Sequence, residues 1–413
     1  MTEHVPAKPS EFTTAAIGVM ALCFLLNTVA RGAGETFAVF YGSFLIEFQW
    51  SRAEVSSIYS VFMIGIGIGG PLIGMTFDRL GGRVVYVGGL AAYGLGFLIA
   101  SRMEALWQGY LGLGVLVGIG AAATGMTPAT GVLARWFDRN LGLVTGVAYA
   151  GLAAGAMMLA PAARLMIDAH GWRWAYEVLG TAMLILGTVI LILPWKRIGE
   201  GAVVKLSPRP RPMALRPQYL SKAPFWGMFM VFFTASVATY AIQVQAVVYL
   251  EEAGYAPITA TFFFGLNSFA ALVGIVGAGW LADRFGGRAI ATATFTCSII
   301  GILALSALAT GPNPWLLALF LLGFGGAMGS RGPIVSSLVA KLFPGQVGAV
   351  FGAIMIGMGL GGAFGAWVAG WLYEVTGGYD WGFGVAIAAM LIGMAQFWLI
   401  EELATRRWRK RQA

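Results

Sequence analysis

The sequence predicts an all-α, polytopic membrane protein with twelve transmembrane helices in two six-helix, pseudo-symmetric halves. Composition is the first observation behind that expectation. Hydrophobic residues make up 58% of the chain and charged residues 11%, and mean hydropathy is +0.79. A soluble domain carries about twice that share of charge. Run length is the second: apolar stretches recur at lengths able to cross a hydrocarbon core of about 30 Å at about 1.5 Å per residue. The third is an internal repeat. Gly74-Met-Thr-Phe-Asp78-Arg79-Leu-Gly81-Gly82-Arg83 returns as Gly279-Trp-Leu-Ala-Asp283-Arg284-Phe-Gly286-Gly287-Arg288, and 283 minus 78 is 205. Gly118, Gly120 and Pro128 return at the same offset as Gly323, Gly325 and Pro333. Two separate stretches in one register mean a duplicated half.

The apolar runs fall at 13–47, 51–77, 84–101, 105–134, 140–167, 172–195, 223–250, 258–282, 289–310, 313–340, 346–373 and 380–400. Six belong to an N-terminal half, 1–195, and six to a C-terminal half, 223–413, which ends in a basic tail. Between them, 196–222 is rich in Lys, Arg and Pro and reads as a solvated linker. The first run is too long for one straight crossing, so a kink at Gly32 or Gly34, or a projection from the membrane, is expected. Ser51 followed by Glu54 is a capping box opening the second. Gly112, Gly114, Gly118 and Gly120 in the fourth run, and Gly146, Gly151 and Gly155 in the fifth, suit close helix packing in lipid. A flexible gate is the other reading of those glycines. Arg164 and Asp168, four apart near the end of the fifth run, read as a rim salt bridge. Each copy of the decapeptide closes one run and opens the next. Its glycines let two helix ends approach, while Asp and Arg cap them at the membrane surface.

Lys and Arg placement sets the orientation. With the N-terminus inside, the inner side collects Lys8, Arg79, Arg83, Arg135, Arg139, the linker cations, Arg284, Arg288, Lys341 and the Arg406–Arg411 cluster. The outer connections hold Arg52, Arg102 and Arg173. Both termini are therefore expected in the cytoplasm, in a bacterial-type inner membrane, and the net charge of +8 is a topology signal that calls for no nucleic acid. Cys23 and Cys297 lie in different halves within apolar runs and read as packed thiols. His4 and His170 offer no metal-ligand spacing, and no phosphate-cradling Gly-Lys-Ser/Thr loop is present, so neither a metal nor ATP or another cofactor is implied.

The doubled G-x-x-x-D-R-x-G-G-R motif, once per half, resembles the signature loop between helices 2 and 3, and 8 and 9, of the major facilitator superfamily. Phe40 to Ser56, and Trp136-Phe-Asp-Arg-Asn-Leu-Gly-Leu-Val-Thr-Gly146, are similar to bacterial members of its monocarboxylate-porter and oxalate/formate-exchanger branch. The resemblance implies the major facilitator fold, with helices 1, 4, 7 and 10 lining a central cavity. It also implies that Asp78, Arg79, Arg83, Asp283, Arg284 and Arg288 act as a conformational latch.

Within the spans, ionisable residues are the candidates, because each costs at least about 2.5 kcal/mol at the helix centre on insertion scales. Arg31 and Glu35 are four apart on one face near the middle of the first run. Either they serve function or they form a self-neutralising structural pair. Arg331, in Gly329-Ser-Arg-Gly-Pro333, is a cation inside the tenth run, and its planar fork suits a carboxylate. The alternative is that it snorkels, or bonds carbonyls freed by Pro333. Adding 205 to Glu35 gives Tyr240, to Arg31 Ser236, to Phe62 Asn267 and to Met126 Arg331. The halves agree on glycine and proline but differ in polarity, as one asymmetric ligand between two similar shells requires. Of Gln243 and Gln245, only one can face the cavity on a regular helix, and Gln243 lies one turn from Tyr240. The branch typically carries a lysine near the position of Glu35 and charges within helix 8; here helix 8 is uncharged before Asp283.

The resulting expectation is a non-enzymatic, monomeric secondary transporter of a small organic anion, monocarboxylate-like and driven by a proton or a counter-anion through alternating access. Arg331, Arg31, Tyr240, Gln243 and Asn267 would bind substrate, and Glu35 would couple the proton, its pairing with Arg31 released when substrate intervenes. Membrane lipid is the other partner. An organic-anion exchanger, a drug or metabolite exporter of the same superfamily, and a non-transporting sensor are the alternatives.

Overall fold

A computed structural model describes the backbone of residues 13–137, 140–200, 222–343 and 347–412. The side chains of 30–31, 141–142, 199–200, 283, 333, 336–337, 340–341, 347–349 and 401–412 are not described. The linker from 201 to 221 and the side chains of Arg31 and Asp283 thus lie outside the described residues.

All regular structure among the described residues is helical. The N-terminal half contains α1 (Thr14–Phe48), α2 (52–80), α3 (82–101), α4 (Leu106–Leu133), α5 (Leu141–His170) and α6 (Trp172–Ile192). The C-terminal half contains α7 (223–252), α8 (Pro257–Phe285), α9 (Gly287–Ala307), α10 (314–342), α11 (Val347–Thr376) and α12 (Asp380–Gln412). Ten helical stretches are long and apolar enough to cross a membrane. One of them, Arg52–Ser101, is two passes folded back at Gly81, where φ is 81°. Its two arms lie side by side against α4: a β-carbon on Gly69 would meet Ala122, and one on Gly89 would meet Ala123. α10 is broken, and its apolar stretch Pro314–Met328 falls short of a membrane span as a single helix.

The repeat seen in sequence is a repeat of backbone geometry. Gly81 and Gly286, 205 apart, both take a positive φ, and so do Gln49 and Gly254, again 205 apart. Glycine adopts that region without a β-carbon clash, which is why the decapeptide needs Gly there in both copies. Helix packing repeats as well. Gly151 and Gly155 of α5 abut the carbonyls of Phe24 and Thr28 in α1, while Gly357 and Gly361 of α11 abut those of Phe229 and Phe233 in α7. A β-carbon would clash at Gly151, Gly155 and Gly361 and would fit only tightly at Gly357. Gly151 and Gly155 of the fifth run therefore serve close packing, whereas Gly146 does not. Ser51 Oγ accepts from the Glu54 amide at 3.2 Å and Glu54 accepts from the Ser51 amide at 2.9 Å, the predicted capping box.

Two expectations, on the first helix and on Cys297, need correction in detail. Gly32 and Gly34 do not kink the first helix; both are packed, against α5 and Phe62, and the helix is interrupted at Thr36, whose hydroxyl donates to the Ala33 carbonyl. Trp195, the last residue of the N-terminal half, opens a short helix, Trp195–Glu200, that runs into the start of the linker, and its ring fills the space beside Gly82. Cys23 is a buried free thiol as expected, but Cys297 is exposed on the outer flank of α9.

The halves meet along two seams. On α2 and α11, Arg52 and Ser56 lie against Gly370, Ser60 Oγ donates to the Ala363 carbonyl at 2.7 Å, and Gly67 lies on Gly359. On α5 and α8, Gly265 abuts Met157. Further toward the decapeptide loops, Gly70, Gly277 and Gly352 have open space where a β-carbon would point. Among the described residues, the contacts between the halves thus gather toward the end carrying Arg52, here termed the Arg52 face, opposite the Asp78 face.

Candidate functional site

Four helices, α1, α4, α7 and α10, are interrupted near mid-length. α1 runs as Thr14–Glu35 and Phe37–Phe48, and α7 as Ala223–Gln243 and Ala246–Glu252. In α4 the break is at Gly125 and in α10 at Gly329–Ser330, so Ser330 stands 205 residues after Gly125. Broken helices place polar side chains and backbone groups beside a cavity, which a continuous helix cannot do at the same positions.

Glu35 ends the first segment of α1 and is buried, as is Gln243 at the end of the first segment of α7. Gln243 Nε2 donates to Glu35 Oε2 at 3.0 Å, a bond between the two halves. Tyr240, one turn back on α7, is buried with its ring 5.8 Å from that of Tyr59 on α2. Glu35, Gln243 and Tyr240 are therefore gathered at one place. Beside them, a cavity of about 10 Å³, room for about one water, is walled by Ala33, Gly34, Phe37, Tyr59, Phe62 and Tyr176.

Asn267 of α8 is buried against Gly325 of α10, and its Oδ1 has no hydrogen-bond partner among the described residues. Arg331 is buried too, 4% exposed, at the start of the second segment of α10. Its guanidinium turns to α9: Nη2 donates to Ser298 Oγ at 2.6 Å and to the Thr294 carbonyl at 3.4 Å, with Phe295 beneath at 4.4 Å. Nε and Nη1 have no hydrogen-bond partner among the described residues. A buried cation so thinly partnered is an expensive group that gains strongly from an anion. Of the latch residues, Asp78, Arg79, Arg83, Arg284 and Arg288 are exposed at their loops, and Arg288 stacks 3.8 Å from the Trp398 ring. Among the described residues no group of three or more His, Cys, Asp or Glu is placed to hold a metal ion.

Sequence reasoning missed the closure of the Arg52 face. Arg52, the first residue of α2, donates to Glu252 at 2.5 Å, to the Tyr379 hydroxyl at 2.6 Å and to Gln245 Oε1 at 3.3 Å, and lies 3.7 Å from the Tyr373 ring. Glu374 accepts from the Ala53 amide at 2.6 Å. Arg164 pairs with Asp168 at 2.8 Å, the predicted rim bridge, and also with Glu251 of the other half at 3.2 Å. Every one of these cross-links except Arg164–Asp168 joins the two halves.

The sequence profile of the Major Facilitator Superfamily matches residues 20–331 and 278–413. This chain belongs to the Major Facilitator Superfamily. It is accordingly a multi-pass membrane transporter and not an enzyme. Among its relatives in that superfamily, monocarboxylate transporter 13 of Bos taurus is 28% identical over 377 residues, covering 91% of this chain and 87% of that one. Monocarboxylate transporter 11 of Homo sapiens is 28% identical over 401 residues, covering 91% and 80%. The fujikurins efflux protein of Gibberella fujikuroi is 26% identical, covering 72% of this chain and 62% of that one. In fold the chain is similar to an inward-facing, occupied bacterial homologue of the lysosomal transporter Spinster, with a TM-score of 0.71, 15% identity and coverage of 94% and 97%. The expected membership, with relatives on the monocarboxylate-porter branch, is thereby met.

Proposed function

We propose that this superfamily member carries small organic anions of monocarboxylate type, coupled to protons, by alternating access around a site between its halves. The observation that carries the reading is the Glu35–Gln243 bond: a buried carboxyl held across the moving interface by a neutral amide. A carboxyl placed there can take up a proton in one orientation and release it in the other. Gln243, Tyr240 and Asn267 supply neutral hydrogen bonds to the substrate, and Arg31 shares the face of Glu35. Arg331 supplies the positive charge for the substrate carboxylate, leaving Ser298 to reach it; the two guanidinium nitrogens without partners support that role. The similarity to monocarboxylate transporters 13 and 11 supports the substrate class.

The Lys/Arg asymmetry supports a topology with the Asp78 face, both termini and the linker in the cytoplasm, and a bacterial-type inner membrane is part of the same reading. The chain acts as a monomer, with the decapeptide loops as its inner latch. A cysteine at position 205 that reacts with an impermeant reagent in intact cells would contradict the orientation.

Uptake of a panel of radiolabelled small carboxylates into proteoliposomes, with and without an imposed pH gradient, tests the whole reading. Accumulation of a monocarboxylate only with the gradient is the expected result. Uptake that requires an internal anion and ignores the gradient would replace it with exchange. Similarity to the fujikurins efflux protein favours export as the second reading. Transport of bulky neutral compounds, indifferent to Arg331, would establish that one.

A further inference from the structure

The interruption of α7 sets two glutamines to two different tasks. Gln243 closes the first helical segment, and Gln245, with φ −103° and ψ 0°, caps the second. Residues two apart on a regular helix point in nearly opposite directions. The break removes that constraint, and both side chains reach the N-terminal half. Gln243 donates to Glu35 at 3.0 Å, while Gln245 accepts from Arg52 at 3.3 Å. Both glutamines are 3% exposed. The buried carboxyl and the closure of the Arg52 face therefore hang on one three-residue turn.

We propose that Gln245 is the positioning residue through which the state of the Glu35 carboxyl reaches the closure at Arg52. The amide bond to an ionised carboxylate is charge-assisted and roughly twice as strong as one to a neutral carboxyl. Protonating Glu35, or inserting a substrate beside it, loosens Gln243. The α-carbons of 243 and 245 are at most about 7 Å apart along the chain, too short a tether to absorb a shift at one end. Gln245 moves with Gln243, and Arg52 loses its buried acceptor. Glu252 and Tyr379 remain, but they sit at the rim, at the end of α7 and just before α12, with Glu252 Oε2 also held by the Tyr379 hydroxyl at 2.8 Å. This inference rests on the reading that Glu35 lies in the translocation site, and its test uses no substrate.

The reporter is a cysteine at Ser60, buried at the α2–α11 seam, in a background with Cys23→Ser and Cys297→Ser. An impermeant thiol reagent is applied to the Arg52 face of reconstituted protein, and the labelling rate reports opening. Glu35→Gln and Gln245→Ala should each raise the rate severalfold, and the double variant should be no faster than the faster single. Tyr379→Phe, which weakens Arg52 without touching the turn, should instead multiply with Glu35→Gln. Gln245→Glu keeps an acceptor for Arg52 and should restore slow labelling together with sensitivity to Glu35→Gln, so a misfolded alanine variant does not decide the matter. If the Glu35→Gln and Gln245→Ala effects multiply, Gln245 is only cement for the closed face and the proposal is overturned. It is equally overturned if Glu35→Gln leaves the rate unchanged. Should the labelling couple as stated while no carboxylate is carried, the substrate reading fails and this one stands.

Discussion

Glu35 of α1 and Gln243 of α7 are hydrogen-bonded across the interface between the halves, at 3.0 Å, with both side chains buried. One partner can change its charge and the other cannot. In the proposed function, this bond is where protonation would act on the position of one half relative to the other.

Glu35→Gln is a permanently neutral mimic of the protonated side chain. Substrate binding and exchange across the membrane should survive it, and accumulation against a gradient should be lost because no proton is carried. Counterflow and pH-driven uptake in proteoliposomes separate the two. Normal concentrative uptake by the variant would make Glu35 structural and anion exchange the better reading.

Much of the fold was legible because the duplication is written in glycine. Gly81 and Gly286 mark equivalent left-handed turns, and Gly151 and Gly155 of α5 do pack on α1. The identities of Glu35, Tyr240 and Gln243 could be read from polarity inside apolar runs. Their gathering depends on breaks at Thr36 and at 244–245, where neither proline nor glycine flags an interruption. Arg52 was legible only as a loop cation. Its partners lie 193, 200 and 327 residues away, beyond any local pattern. The direction of Arg331 was hidden for the same reason: the break at Ser330 resets the phase of α10, so helical spacing from Gly325 no longer tells which neighbour it meets.

Arg331 carries the second prediction. Lysine keeps the charge but loses the fork, so Arg331→Lys should weaken anion binding, and Arg331→Ala should weaken it far more. Truncating one partner of a desolvated charge pair typically costs about 2–5 kcal/mol. Equilibrium binding of the transported anion to purified protein is the measurement. Undiminished binding by the alanine variant would end the assignment.

The glycine seams make a stability prediction independent of substrate. A side chain at Gly361 would run into the Phe233 carbonyl, whereas Gly146 has open space. Gly361→Val should destabilise by about 1–3 kcal/mol as an overpacked contact. Gly146→Ala should be neutral or slightly stabilising. Thermal unfolding of the detergent-solubilised variants reads both, and equal melting temperatures would refute the packing argument.

At the opposite face, Asp78→Asn should slow turnover while leaving substrate affinity nearly unchanged, because a latch residue touches no substrate. A large loss of binding with normal turnover would move Asp78 into the site.

The final prediction concerns Glu251, which closes the Arg52 face against Arg164. Burial holds its carboxyl above the ordinary carboxylate value; Arg164 pulls the other way, while Asp168 and Glu252 push in the same direction as burial. When the face opens, Glu251 is rehydrated and its proton affinity falls back. The closed state therefore binds the proton more tightly than the open one, so protonation favours closure. That contribution is complete below the ordinary value of 4.5 and disappears as pH rises through the raised value of the closed state. At neutral pH the ionised side chain works against closure. Glu251→Gln, neutral throughout, should then keep the Ser60→Cys reporter more protected at pH 7 than wild type does. The ratio of wild-type to variant labelling cancels the thiol's own ionisation. It should start above one at pH 7 and fall toward one as pH drops toward the ordinary carboxylate value. A ratio below one at pH 7 would mean that the ion pair with Arg164 outweighs burial, and that Glu251 holds the face shut as an anion.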